Sequence, residues 1–251
     1  MSSETTKPAS TGASSAPLPI VYAETWVALE NCGPPRPYTK TYGFAGEFIS
    51  DYHRMLASAP TGRMGIPVCI DLGIDGYLQR GDALKIYELA HFSQGDVLEL
   101  GTHKGLSTSI IAHALEDRGA DNKLETDNID AATNRIAKKN LSGKPGAQRV
   151  NFNLKDAVAL MDEFIAKGRK FGFMFVDHWH GYDATRDAAV RVHALLANGG
   201  FVLFHDYNDS ENANPDHVHK VYQAVRDTIA PDPRFRFCAV SGCTGLFQKV
   251  S

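Results

Sequence analysis

Two stretches of this 251-residue chain gather residue types that do chemistry. The first, "LELGTHKGLS" (98–107), sets Glu99 two residues before Gly101, returns to glycine at Gly105, and enters a helix-like run through Ser107. Gly101 lets a backbone turn sharply off a strand, and Gly105 has no Cβ to obstruct a ligand lying against the helix start. Glu99 sets the ligand's charge. A carboxylate at a strand end favours a cationic amine and repels a pyrophosphate, so an amino acid-bearing nucleoside is expected. The third glycine of the dinucleotide pattern is missing, since Leu106 and Ser107 follow Gly105. The second stretch, "FMFVDHWHGYDATRDA", delivers Asp177, His178, Trp179 and His180 from an apolar run, and "GGFVLFHDYND" delivers His205 and Asp206 the same way. Carboxylates on adjacent strand ends repel unless a cation lies between them, and oxygen ligands of this kind suit Mg2+ or Mn2+. His205 lies inside its strand run and reads as a buried, satisfied histidine. His217 and His219 are two apart, face apart on a helix, and are left out of the site.

These residues need elements to hold them. From Asp82 onward, helical and strand-like segments alternate, the signature of a parallel sheet covered by helices. "DALKIYELA" is the first helix; strands are expected at "DVLEL", "NKLETD", "RVNFNL", "FGFMFVD" and "GGFVLFHD". Helical stripes run through Ala157, Leu160, Met161, Phe164 and Ile165, and through Val218, Val221, Tyr222, Val225 and Ile229. "RFRFCAV" and "TGLFQKV" are separated only by "SGC", too short for a crossover, so they form an antiparallel hairpin. In such a sheet, ligands collect beyond the carboxyl ends of the strands, where strand order reverses. Asp127, at the end of "KLETD", can accept both hydroxyls of a ribose there, or cap the next helix, a role also open to Asp130.

Composition limits the rest. With 43% hydrophobic and 22% charged residues, the chain buries a full core. A net charge of −3 gives no footprint for nucleic acid. Cys32, Cys69, Cys238 and Cys243 lack the spacing of a zinc site or disulfide scaffold, and no window is long and apolar enough to span a membrane. A cytoplasmic protein with reduced thiols is expected. Residues 1–17, rich in Ser, Thr, Ala and Pro, are expected as a disordered tail. Residues 18–78, broken by "NCGPPRPY" and "APTGRMGIP" around the helix-like "FAGEFISDYHRMLA", form an N-terminal cap, and residues 79–251 form the main domain. The cap's Trp26, Tyr38, Tyr42, Phe44 and Phe48 suit a wall over a bound acceptor, ordinary packing, or a homodimer interface.

Five parallel strands closing in a hairpin resemble the Rossmann-like fold of the class I methyltransferases, an α/β fold with a mostly parallel seven-stranded sheet. Glu99, Gly101, Gly105 and Ser107 match the first motif of the S-adenosylmethionine-dependent members in place. The resemblance places the adenine beside Asp156 and Ala157, though Asp156 serves equally as a helix cap. "DHW" resembles the catechol O-methyltransferase segment in which the Asp binds magnesium and borders the cofactor, the His lies against adenine, and a lysine follows as base. Asp177, His178 and His180 fall on those positions, and Asp206 falls on the second metal aspartate. The asparagine ligand expected next is Tyr207, so Asn208 or water is left as the third ligand. "HDY" and "TGLFQK" are similar to the family of macrocin O-methyltransferase and cephalosporin hydroxylase-like proteins. The resemblance thus implies O-methylation of a small hydroxylated acceptor, with His180 accepting its proton near neutral pH. Another reaction on the same cofactor, or a non-catalytic nucleoside-binding role, shares most of these residues.

Overall fold

The computed structural model describes residues 48–251. The expected tail and the cap aromatics Trp26, Tyr38, Tyr42 and Phe44 lie outside the described residues. Seven strands form one sheet: β1 (Val97–Leu100), β2 (Leu124–Asn128), β3 (Val150–Leu154), β4 (Phe171–Val176), β5 (Leu196–Phe204), β6 (Phe235–Ser241) and β7 (Thr244–Lys249). Their order is β3-β2-β1-β4-β5-β7-β6. The first five are parallel, and β7 runs antiparallel between β5 and β6. Strand order therefore reverses between β1 and β4, and the loops leaving these two strands lie side by side. That is the crevice where open α/β sheets bind ligands.

The helices are α1 (Asp51–Ser58), α2 (Arg80–His91), α3 (Leu106–Arg118), α4 (Ala131–Leu141), α5 (Ala157–Ala166), α6 (Tyr182–Leu195) and α7 (Val221–Thr228). The central strand β4 is apolar throughout because both its faces are covered. Along β4, Phe173 and Phe175 pack with α2 and α3 residues such as Ile86 and Ile110, while Met174 and Val176 pack with α5 and α6 residues such as Leu160 and Val192. Leu56, Ile70, Ile74 and Leu78 join the first of these cores, so the described part of residues 48–78 is packed onto α2 and α3.

Three local expectations need correction. Within the helix anticipated over "FAGEFISDYHRMLA", the described residues are helical from Asp51, where the Ser50 side chain accepts the His53 N–H and caps α1. Strand β5 begins at Leu196, directly after α6, without an intervening loop. Val218 is not on a helix: α7 starts at Val221, and Val218 is exposed.

Candidate functional site

The glycine turn is built differently from its sequence reading. Gly101 (φ +99°) and Gly105 (φ +91°) both have left-handed backbones. A Cβ on Gly101 would collide with the Asp177 carbonyl, and one on Gly105 would sit 2.6 Å from Leu141 Cδ1 on α4. The left-handed backbone therefore calls for glycine at both positions, and packing against the Asp177 backbone adds to it at Gly101. The same packing presses the turn after β1 against the loop after β4, where the Asp177 N–H donates to Leu100 O (2.8 Å). Gly101→Ala should cost about 2 kcal/mol or more through strain and this collision. Thermal unfolding checks it, and an unchanged melting temperature would show that the turn has room.

Glu99 is not open to the cleft as expected of a strand-end carboxylate. It is fully buried, and its Oε2 accepts from Thr108 Oγ1 and Thr126 Oγ1, each at 2.6 Å. Its Oε1 is a buried acceptor with no partner. Burial pushes the carboxyl up to about 7 against the pull of the surrounding hydroxyls. Ser107 is also buried, in the first turn of α3.

Asp130 caps α4 by accepting the Thr133 N–H, which leaves Asp127 free of that task. Asp127 Oδ1 accepts the Gly101 N–H (3.1 Å), tying the end of β2 to the glycine turn. Burial, with Glu99 and Asp156 nearby, pushes its carboxyl up to about 7 despite that bond. Asp156 caps α5 through the Ala159 N–H (3.1 Å), and Ala157 is buried behind it. His178 Nε2 is another buried polar atom with no partner. Orphaned atoms on Glu99 and His178, on the two loops that meet at the switch point, fit a ligand that carries both donors and acceptors.

The second constellation is tighter than the sequence suggests. Asp177, His180, His205 and Asp206 each offer a ligand atom, and all four atoms lie within 4.8 Å of one another. His180 Nε2 is 3.3 Å from Asp177 Oδ1 and 3.2 Å from Asp206 Oδ2. His205 Nδ1 is 3.0 Å from Asp177 Oδ1 and 3.2 Å from Asp206 Oδ1. Burial opposes charge on every member, but opposite partners win. The imidazoles hold Asp177 and Asp206 below the usual carboxylate range, and the carboxylates hold both imidazoles above theirs. Asp206 adopts φ +56°, uncommon for a residue with a side chain, and Asn212 Nδ2 holds its carbonyl at 2.6 Å.

Three sequence readings change here, those of His205, Asn208 and His219, while the passing over of Tyr207 as a ligand stands. His205 belongs to the cluster; its place at a strand end beside Asp206 was the available signal. Tyr207 is buried among Tyr222, Phe237 and Phe247, pointing into the core, so it is no ligand candidate. The Asn208 N–H donates to Cys243 O (2.9 Å), and its side-chain amide donates to Gly242 O (3.5 Å). His219 precedes α7 instead of riding on a helix; its ring meets that of His180 edge-on at 4.8 Å, and its Nδ1 is 4.0 Å from Asp206 Oδ2. No sequence signal marked Asn212. Trp179, 65% exposed, does not wall a closed pocket among the described residues, and Phe48 meets the His53 ring edge-on.

Comparison with known proteins agrees with this architecture. Residues 98–207 match the sequence model of a family described as a methyltransferase domain. No curated protein matches the chain. Among solved structures it is similar to an O-methyltransferase of tomaymycin synthesis from Streptomyces achromogenes, solved with S-adenosylmethionine (19% identity, 69% of this chain and 82% of that one, TM-score 0.56). It is also similar to an O-methyltransferase from Bacillus cereus in complex with S-adenosylhomocysteine (19%, 69% and 82%, 0.55). A Klebsiella pneumoniae protein, provisionally described as an O-methyltransferase, covers more of the chain (20%, 83% and 93%, 0.59). At these identities the structural likeness speaks for the fold, and the family match covers the segment from β1 to the turn after β5. Residues 98–207 thus match a methyltransferase domain, and the described residues have the class I methyltransferase fold.

Proposed function

We propose that this protein is an S-adenosylmethionine-dependent O-methyltransferase acting on a small hydroxylated molecule with the help of a divalent ion. The observation that carries the reading is the juxtaposition of Asp177, Asp206 and His180 at the ends of β4 and β5, next to the glycine turn of β1. When bound, the cofactor supplies an electrophilic methyl group, and the ion supplies positive charge that lowers the pKa of an acceptor hydroxyl. Glu99 and Asp127 hold the amine and ribose ends of the nucleoside, with Gly101, Gly105 and Ser107 shaping the turn. His178, Asp156 and Ala157 border the adenine. Asp177 and Asp206 hold the ion, and His180 takes the acceptor's proton. Positioning does much of the remaining work, because in-line displacement needs donor and acceptor aligned.

A cytoplasmic setting, a small-molecule acceptor and a homodimer remain part of this proposal. What the described residues do show is that none of their helices is long and apolar enough to cross a membrane. The cofactor assignment is tested by calorimetry: S-adenosylhomocysteine should bind in the micromolar range, and Asp127→Ala should weaken it tenfold or more. Absence of both heat and thermal stabilisation at saturating ligand would sink it. Chelation should abolish methyl transfer while leaving S-adenosylhomocysteine binding intact. Activity that survives both chelator and Asp206→Ala would make the carboxylates structural.

A further inference from the structure

We propose that His205 is itself a metal ligand, through Nδ1, and that the site therefore selects a transition ion of the Fe2+ to Zn2+ range over Mg2+. The inference rests on the divalent-ion reading above and assigns that ion its third protein ligand and its class. His205 is 3% exposed, and its Nδ1 makes no aligned hydrogen bond although it points between two carboxylates. The spacing has the right scale. Atoms in adjacent positions around an ion with bonds of about 2.1 Å sit about 3.0–3.4 Å apart. Nδ1 lies 3.0 Å from Asp177 Oδ1 and 3.2 Å from Asp206 Oδ1.

The other side of the ring is prepared in the same sense. Metal-ligating histidines hand their second ring N–H to a buried acceptor, which fixes tautomer and orientation. His205 Nε2 is 3.3 Å from Cys243 Sγ and 3.9 Å from Asp82 Oδ2. Both partners are buried, and Asp82 is anchored by the N–H groups of Gln79 (2.8 Å), Cys243 (2.9 Å) and Thr244 (3.2 Å). Phe175 flanks the imidazole edge-on at 6.0 Å, and the His205 backbone N–H is fixed to Val176 O (3.0 Å). The ring therefore presents Nδ1 to the carboxylates and nothing else. Depth separates it from His180, whose side chain is 29% exposed and keeps access to an acceptor. Two carboxylates alone suit Mg2+; an added neutral imidazole is a poor partner for that hard ion and a good one for the later first-row metals.

Competition calorimetry on the full chain with Co2+, Zn2+ and Mg2+ tests this. One Co2+ or Zn2+ should bind per chain at least a hundredfold tighter than Mg2+. The Co2+ form should show a paramagnetically shifted, slowly exchanging imidazole N–H resonance, from Nε2 held against Cys243. His205→Asp, which restores an all-oxygen set, should remove that resonance and shrink the preference at least tenfold. S-adenosylhomocysteine binding confirms that each variant is folded, and His205→Asn is the substitute if His205→Asp is not. Mg2+ binding as tightly as Co2+, or a preference untouched in His205→Asp or His205→Asn, overturns the assignment while leaving a metal-dependent enzyme standing. If none of the three ions binds at this cluster, the ion reading itself falls, and this inference with it.

Discussion

Replacing His180 with alanine should lower the methyl-transfer rate at least a hundredfold and leave S-adenosylhomocysteine affinity within about threefold. General-base catalysis by a positioned side chain contributes about 10²–10⁴ in rate. His180 is held for that task from two sides. Its carbonyl accepts the Lys220 N–H (2.9 Å), and the His219 ring lies edge-on against it. Its Nε2 sits over both carboxylates yet stays partly exposed, the one imidazole of the Asp177–Asp206 cluster pair that an acceptor hydroxyl can approach. Burial lowers its pKa, but Asp177 and Asp206 outweigh this and hold it above the ordinary value. Only the neutral ring accepts a proton, so the wild-type rate should climb as pH rises, and an ion between the carboxylates should move that climb to lower pH. Single-turnover rates across pH, paired with calorimetry, separate the outcomes. Loss of cofactor binding in the variant would mean that "DHWH" serves the adenine side of the cleft, and the base would have to be sought elsewhere.

The sheet was legible because its signals are local and repeated. Strands β1, β4 and β5 are short, mainly apolar runs, β2 and β3 follow from their alternation with helical segments, and three intervening residues can only make a hairpin, so all seven strands and the place of the crevice follow from the sequence. Site geometry depends on contacts that no spacing encodes. Gly101 reads as a ligand-facing glycine until the Asp177 carbonyl is seen beneath it. His205 reads as core because it follows four apolar residues, and only the packing of β5 beside β4 turns its Nδ1 toward Asp177. Tyr207 sits one residue past Asp206, but the left-handed backbone at Asp206 sends the next side chain into the apolar layer. His219 reads as a helical residue facing away from His217, but α7 starts two residues later.

Glu99→Gln should stabilise the ligand-free protein at pH 8 and weaken S-adenosylhomocysteine binding tenfold or more. In the unfolded chain a glutamate ionises near its ordinary value, whereas burial holds Glu99 up at about 7 in the fold. Below about pH 4.5 the group is neutral in both states, and above about pH 7 it is ionised in both. Between these limits the fold binds the extra proton, so this residue's contribution to stability declines as pH rises and stays lowest above the folded pKa. The full cost is roughly 3–4 kcal/mol, and a neutral amide, still able to accept from Thr108 and Thr126, should recover about half of it. That is a gain of a few degrees in melting temperature for a domain of this size. At pH 5, where the carboxyl is mostly protonated in the fold, the gain should largely vanish. The same buried charge is what a ligand ammonium pays back, since Glu99 Oε1 makes no aligned hydrogen bond within the described protein, although the Ser107 hydroxyl also helps to hold the carboxylate. Melting curves at pH 5 and 8, with and without S-adenosylhomocysteine, decide the matter. A variant less stable than wild type at pH 8 would make the carboxylate an anchor for the two threonines, and unchanged affinity would remove it from the cofactor's amine.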